Sequence, residues 1–166
     1  RRRRGKADRQ SPLLTSTRES GPWFGSPLET AVRGFIRTPW RMPVATNEQI
    51  ISDFIAAWSR LNVEEIVSYF VEDGVYYNMP AQPVKGHPAL RQFIASFLKT
   101  WTKTDWDILN IVSKGDLVIA ERLDRTVAKG KNINLPCCGV FEMSNGKIKV
   151  WRDYFDMATY TRAMQT

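Results

Sequence analysis

The order of patterns along the chain predicts an α+β fold, helices packed on one face of a largely antiparallel sheet. Apolar residues recur at helical spacing in three segments between Asn47 and Trp101. From Asp105 onward, four runs alternate with a period of two. Two short turn sequences, Lys114-Gly115-Asp116 and Ser144-Asn145-Gly146, separate such runs as hairpin turns do. A strongly curved sheet of this kind encloses a pocket between itself and the helices.

Asn47 is expected to cap the first helix, which carries Ile50, Ile51, Phe54, Ile55 and Trp58. Asn62, with Glu65 three residues on, resembles a capping box that opens a second helix carrying Val63, Ile66, Val67 and Phe70. Asp73-Gly74 is expected to end it, and Val75 to Met79 reads as a short strand. A Pro/Gly-rich loop, Pro80 to His87, follows. Pro88 suits the first position of a third helix with Leu90, Phe93, Ile94, Phe97, Leu98 and Trp101 apolar. Strands are then expected at about Asp105–Val112, Leu117–Val127, Ile133–Met143 and Lys147–Phe155. The Asn-Gly pair is the stronger turn signal, because both residues tolerate the positive φ of a tight hairpin.

The 166 residues suit one domain, 46–166, plus an appendage, 1–45. Residues 1–45 hold 10 Lys/Arg against 3 Asp/Glu, whereas 46–166 hold 14 against 14. The pI of about 9.6 therefore describes the extension, and a nucleic-acid face on the domain has no compositional support. The extension, opening with Arg1 to Arg4, is expected to be largely disordered, or weakly helical over Pro27–Ile36 with Leu28, Val32 and Phe35 on one face. Its Arg/Ser bias also suits an acidic partner, a membrane surface or a transit peptide. No run resembles a signal-peptide core or approaches the roughly 18 apolar residues of a membrane span.

Cys137 and Cys138 are adjacent, so on a strand they point to opposite faces and share neither a disulfide nor a metal. That usage suits a reducing cytoplasm. The single histidine, His87 in a Gly-His-Pro turn, reads as a loop residue and argues against a histidine metal site or a Ser-His-Asp triad. Nothing calls for a metal or an organic cofactor.

On a strand, residues i and i+2 share a face. Tyr76 and Asn78 then share a face of the first strand, and Arg122 and Asp124 share one with Val118 and Ala120. Asp153 lies between Trp151 and Phe155 on one face of the last strand. A carboxylate between two large aromatics suggests an Asp inside an apolar cavity, where it needs a partner such as Arg122. Taken singly, these residues also fit a surface cross-strand pair and an edge-strand charge.

Four segments decide between those readings. YYNMP (76–80), ERLDR (121–125), GVFEMSNGKI (139–148) and WRDYFD (151–156) resemble, in order and spacing, the limonene-1,2-epoxide hydrolase family. The resemblance covers about Asn47 to Met164. It implies a cystatin-like, NTF2-like (SnoaL-like) cone: a curved, mixed six-stranded sheet packed with three to four helices around a deep apolar pocket. It also implies a homodimer and a cofactor-independent hydrolase. By position Asp153 matches the general base, Asp124 the general acid and Arg122 the bridge between them. Tyr76 and Asn78 match the pair that holds the attacking water. Ile55, Trp58, Phe97, Trp101, Leu135, Cys137 and Phe155 are expected to line the substrate pocket. Trp58 and Trp101 stand where the limonene enzyme has smaller aliphatic residues, so a different small hydrophobic epoxide is expected. Isomerases and cyclases of the same cone, and non-catalytic ligand-binding modules, are the rival readings.

Overall fold

The computed structural model describes residues 45–165. The weak helix expected within Pro27–Ile36, and the rest of residues 1–44, lie outside the described residues. Helix α1 (Asn47–Ala57) is capped by Thr46 rather than Asn47: the Thr46 hydroxyl accepts the Gln49 N–H at 3.2 Å. Asn47 sits inside the first turn and donates its amide to the Gly115 carbonyl. A 3-10 turn (Trp58–Arg60) ends at Leu61, whose φ of 53° swings the chain into α2 (Val63–Ser68). Half of the capping box forms there. Asn62 accepts the Glu65 N–H at 3.2 Å, while the Glu65 carboxylate turns to the Arg60 guanidinium instead.

Asp73-Gly74 does not end the second helix, because strand β1 (Phe70–Asn78) runs through it. The pairing is irregular there: Phe70 lies opposite Ile148 and Val75 opposite Val150. The expected loop contains a two-residue strand, β2 (Val84–Lys85), paired with β1. Helix α3 (His87–Leu98) opens on His87, expected in the loop, with Pro88 second rather than first, and Trp101 does not belong to it. The Lys129 N–H reaches the Thr100 carbonyl at 2.9 Å and transfers the chain to the sheet. Trp101 thus opens strand β3 (Trp101–Lys114), opposite Ala128.

Strands β4 (Leu117–Ala128), β5 (Lys131–Ser144) and β6 (Lys147–Phe155) follow. The last hairpin turns on Asn145 and Gly146, with φ of 50° and 73°, as the Asn-Gly signal requires. A fourth helix, α4 (Met157–Gln165), meets the upper count that the resemblance implies, although no pattern in the sequence placed it. Asp156 caps it, accepting the Ala158 and Thr159 N–H groups at 3.0 Å each.

The six strands lie in the order β2-β1-β6-β5-β4-β3, with β1 and β6 parallel and the other pairs antiparallel. Alternation on β4 is complete: Val118, Ala120, Arg122, Asp124, Thr126 and Ala128 are all buried. Phe54 of α1 meets Trp58, Tyr69, Phe70, Phe141 and Trp151 edge-on, at centroid distances of 5.1 to 6.2 Å. This geometry is favoured by the opposed charge of ring face and edge, and it fixes α1 against the sheet. Among the described residues, no helix is long and apolar enough to cross a membrane.

Candidate active site

Charged side chains are seldom fully buried without partners. Here three are buried together: Arg122 is 0 % exposed, Asp124 6 % and Asp153 4 %. The surface-pair and edge-charge alternatives are thereby excluded. Register explains the meeting. Gly139 of β5 lies opposite both Ala120 of β4 and Asp153 of β6, and Arg122 lies two residues along from Ala120 on the same face.

Arg122 bridges both carboxylates. Its Nε donates to Asp124 Oδ1 at 3.1 Å and its Nη2 to Asp124 Oδ2 at 3.0 Å. The same Nη2 lies 3.0 Å from each oxygen of Asp153. The guanidinium carbon stands 5.0 Å from the Trp106 ring centre and 5.7 Å from that of Trp151. Such cation–π contacts are strongest where water is excluded.

Burial by itself would lower the Arg122 pKa, but the charges of Asp153 and Asp124 reverse that and raise it, so Arg122 is a permanent cation. Burial pushes Asp153 up to about 6, against the pull of Arg122 and with a push from Asp124. The Trp151 indole N–H, which completes no full hydrogen bond, adds a weaker pull downward. Burial, helped by both carboxylates, raises the Cys137 thiol, and burial likewise holds the Tyr76 hydroxyl protonated. With both carboxylates ionised, one guanidinium leaves the buried trio with an excess negative charge, which an apolar interior penalises.

Tyr76 is buried, with its ring flat on Trp151 at 4.0 Å and 4°. Asn78 is the register partner of Asp153 across the parallel pair β1–β6. Its Oδ1 is buried and without a protein partner, which leaves an unused acceptor in a residue that lines the cavity described next.

A cavity of about 180 Å³ opens onto this cluster. Tyr76, Asn78, Asp124 and Asp153 line it, as do the expected Trp58, Phe97, Trp101, Leu135, Cys137 and Phe155. Ile55 does not. It is buried in the core, where it meets a separate surface depression with Ser52, Ala56 and Ser59. Three positions along a helix from Trp58 leave it turned partly aside, toward β3. The sequence reading missed Trp106, Met157 and Tyr160. Trp106 is the register partner of Asp124 on β3, so a period-two reading extended to Trp106 would have found it. Met157 and Tyr160, three apart on α4, needed Asp156 to be recognised as a cap.

The Cys137 sulfur and oxygens of Asp124 and Asp153 lie within 4.8 Å of one another, close enough to surround a cation. Arg122 already provides the positive charge between those carboxylates, and a ligating thiol must ionise, which burial opposes here. The donor set fits a proton-sharing pair better than a metal.

Known proteins resemble this chain in both sequence and fold. Residues 45–165 match the family model of the limonene-1,2-epoxide hydrolase catalytic domain. Over 50 residues the chain is 40% identical to epoxide hydrolase EphG of Mycobacterium tuberculosis, a match that spans 30% of this chain and 34% of that protein. The solved LEH-like epoxide hydrolase of M. tuberculosis superposes with a TM-score of 0.63 at 22% identity, covering 72% of this chain and 90% of that one. A SnoaL-like polyketide cyclase of Shewanella putrefaciens gives a TM-score of 0.66 at 13% identity, covering 74% and 98%. The last two likenesses establish the NTF2-like cone, and the match over 45–165 establishes more than the fold. This chain belongs to the limonene-1,2-epoxide hydrolase family.

Proposed function

We propose that the protein adds water directly to a small hydrophobic epoxide, giving a vicinal diol without a covalent intermediate. The observation that carries this reading is the buried Asp124–Arg122–Asp153 trio at the cavity wall, with Asn78 beside Asp153. Asp153, ionised, takes a proton from a water held by Asn78 and Tyr76, while the water oxygen bonds to an epoxide carbon. The C–O bond of the ring breaks, and Asp124 delivers its proton to the departing oxygen. One proton enters the carboxylate pair as another leaves, so the buried charge is unchanged throughout.

Cyclisation of a hydroxy-epoxide would use the same acid and base with an internal hydroxyl in place of water. A solved structure of an epoxide hydrolase/cyclase-like enzyme, SalBIII, shares the fold with a TM-score of 0.62 at 16% identity. The Asn78–Asp153 juxtaposition favours water as the nucleophile. A panel of styrene, cyclohexene and limonene oxides tests the reading by diol formation. Diols from at least one simple epoxide are expected, and none from any would refute hydrolysis. Trp58, Trp101 and Trp106 give the cavity aromatic walls, which favours aryl-bearing epoxides over limonene oxide.

Removing residues 1–45 is expected to leave hydrolysis intact, since every site residue lies beyond them. A truncated chain that folds normally but no longer turns over would show that the extension reaches the site. A homodimer through the sheet face turned away from the cavity is part of the proposal. That face exposes Leu117, Ile119 and Tyr154. Two free thiols suit work in the cytoplasm.

A further inference from the structure

Gly139 interrupts a strand whose inward positions are otherwise filled, Cys137 before it and Phe141 after it being buried. A glycine inside a strand weakens it, through backbone entropy and the absence of a packing side chain. Nothing in the conformation demands one here, because the positive-φ glycines are Gly86, Gly115, Gly130 and Gly146. What demands it is space. A Cβ at position 139 would stand 2.5 Å from Arg122 Nη1, and 2.7 and 2.8 Å from Cε2 and Cζ of Phe141. Arg122 Nη1 is buried and has no acceptor, so no hydrogen bond holds that corner of the guanidinium. Instead it rests against the bare backbone of Gly139, with Trp106 and Trp151 beside the guanidinium.

We propose that Gly139 is a positioning residue: its missing side chain is the seat that lets the Arg122 guanidinium lie between Asp124 and Asp153. The proposal rests on the hydrolase reading for its effect on turnover, but not for its effect on the carboxylates. A methyl at 139 pushes Nη1 outward. Because the guanidinium is rigid, Nη2, which serves both carboxylates, moves with it. Asp153 then loses part of its counter-charge. The groups facing Asp153 are Tyr76 from β1, Arg122 and Asp124 from β4, Cys137 from β5 and Tyr160 from α4. Arg122 is the one cation among them, so its displacement raises the pKa at which Asp153 ionises.

The test is Gly139→Ala, read in two ways. Titration of the Asp153 carboxyl carbon by ¹³C NMR should show ionisation at higher pH than in the wild type. The acidic limb of kcat against pH should move the same way, with kcat down at least tenfold at pH 7 and KM changed much less. In an Arg122→Lys background there is no guanidinium corner to displace, so Gly139→Ala should add less than threefold to the loss already present. If Gly139→Ala alone fails to fold, Gly139→Ala with Phe141→Leu relieves the ring contact, and the same two readings apply. A folded variant with unmoved Asp153 titration overturns the proposal. A moved titration in a protein whose wild type opens no epoxide supports the seat and refutes only the hydrolase reading.

Discussion

Asp153→Asn is expected to lower epoxide turnover by about 10²–10⁴-fold, roughly 3 to 5 kcal/mol of barrier, while leaving KM nearly unchanged. The amide keeps the size of the carboxylate and one oxygen that can accept from Arg122, and it removes the base together with its charge. The same variant should melt higher than the wild type at pH 7 to 8. Asp153 ionises near pH 6 in the folded protein, against roughly 3.9 for an unfolded Asp, so the folded state holds this proton more tightly. Its contribution to stability is therefore fully present below about pH 4 and is lost as pH rises to about 6. Asparagine removes that loss and leaves Arg122 paired one to one with Asp124. Thermal melts from pH 4 to 8, beside steady-state kinetics, check both halves. Normal turnover in a folded Asp153→Asn protein would remove the base from the mechanism. The Asp124→Asn loss should be of similar size, and the double variant little worse than either, because neither group helps much without the other.

The placement of these groups was legible in the sequence because strand alternation is a rigid rule. Once 122, 124 and 153 are put on strands, their facing follows, and all three are buried as expected. Burial on β4 and the outward turn of Cys138 relative to Cys137 followed from the same rule. What could not be read were handovers between elements. Trp101 continues the apolar stripe of α3, and only a long-range bond from Lys129 to Thr100 assigns it to the sheet. Asp73-Gly74 has the composition of a turn, yet it is carried within β1 by pairing with a strand more than 70 positions away in sequence. The Arg122–Asp124–Asp153 contact was itself an inference from family resemblance, since alternation assigns a face but not a neighbour. Ile55 failed as a pocket residue for the related reason that helical periodicity gives a broad stripe, not a contact.

Arg122→Ala should be the most damaging single change. It leaves two buried carboxylates without their shared counter-charge, and removing one member of such a buried set typically destabilises by about 3–5 kcal/mol. The cost should depend on pH in a particular direction. Without Arg122, Asp153 ionises at still higher pH, so the variant should be weakest at pH 8 and recover toward pH 5, where protonation of Asp153 removes one of the two uncompensated charges. Turnover at pH 8 should fall at least as far as in Asp153→Asn. Urea unfolding at pH 5 and pH 8 measures this. An Arg122→Ala protein as stable as the wild type at both pH values would mean that the trio is not electrostatically coupled as its distances indicate.

Direct attack by water is tested most closely by a single turnover in H₂¹⁸O, with enzyme in excess over an epoxide that the panel has shown to be a substrate. If Asp153 activates water, the first diol formed carries one ¹⁸O, and peptides containing Asp124 and Asp153 keep their natural mass. A first diol containing only ¹⁶O, with ¹⁸O appearing in either aspartate, would mean a carboxylate attacked the epoxide and would contradict the mechanism.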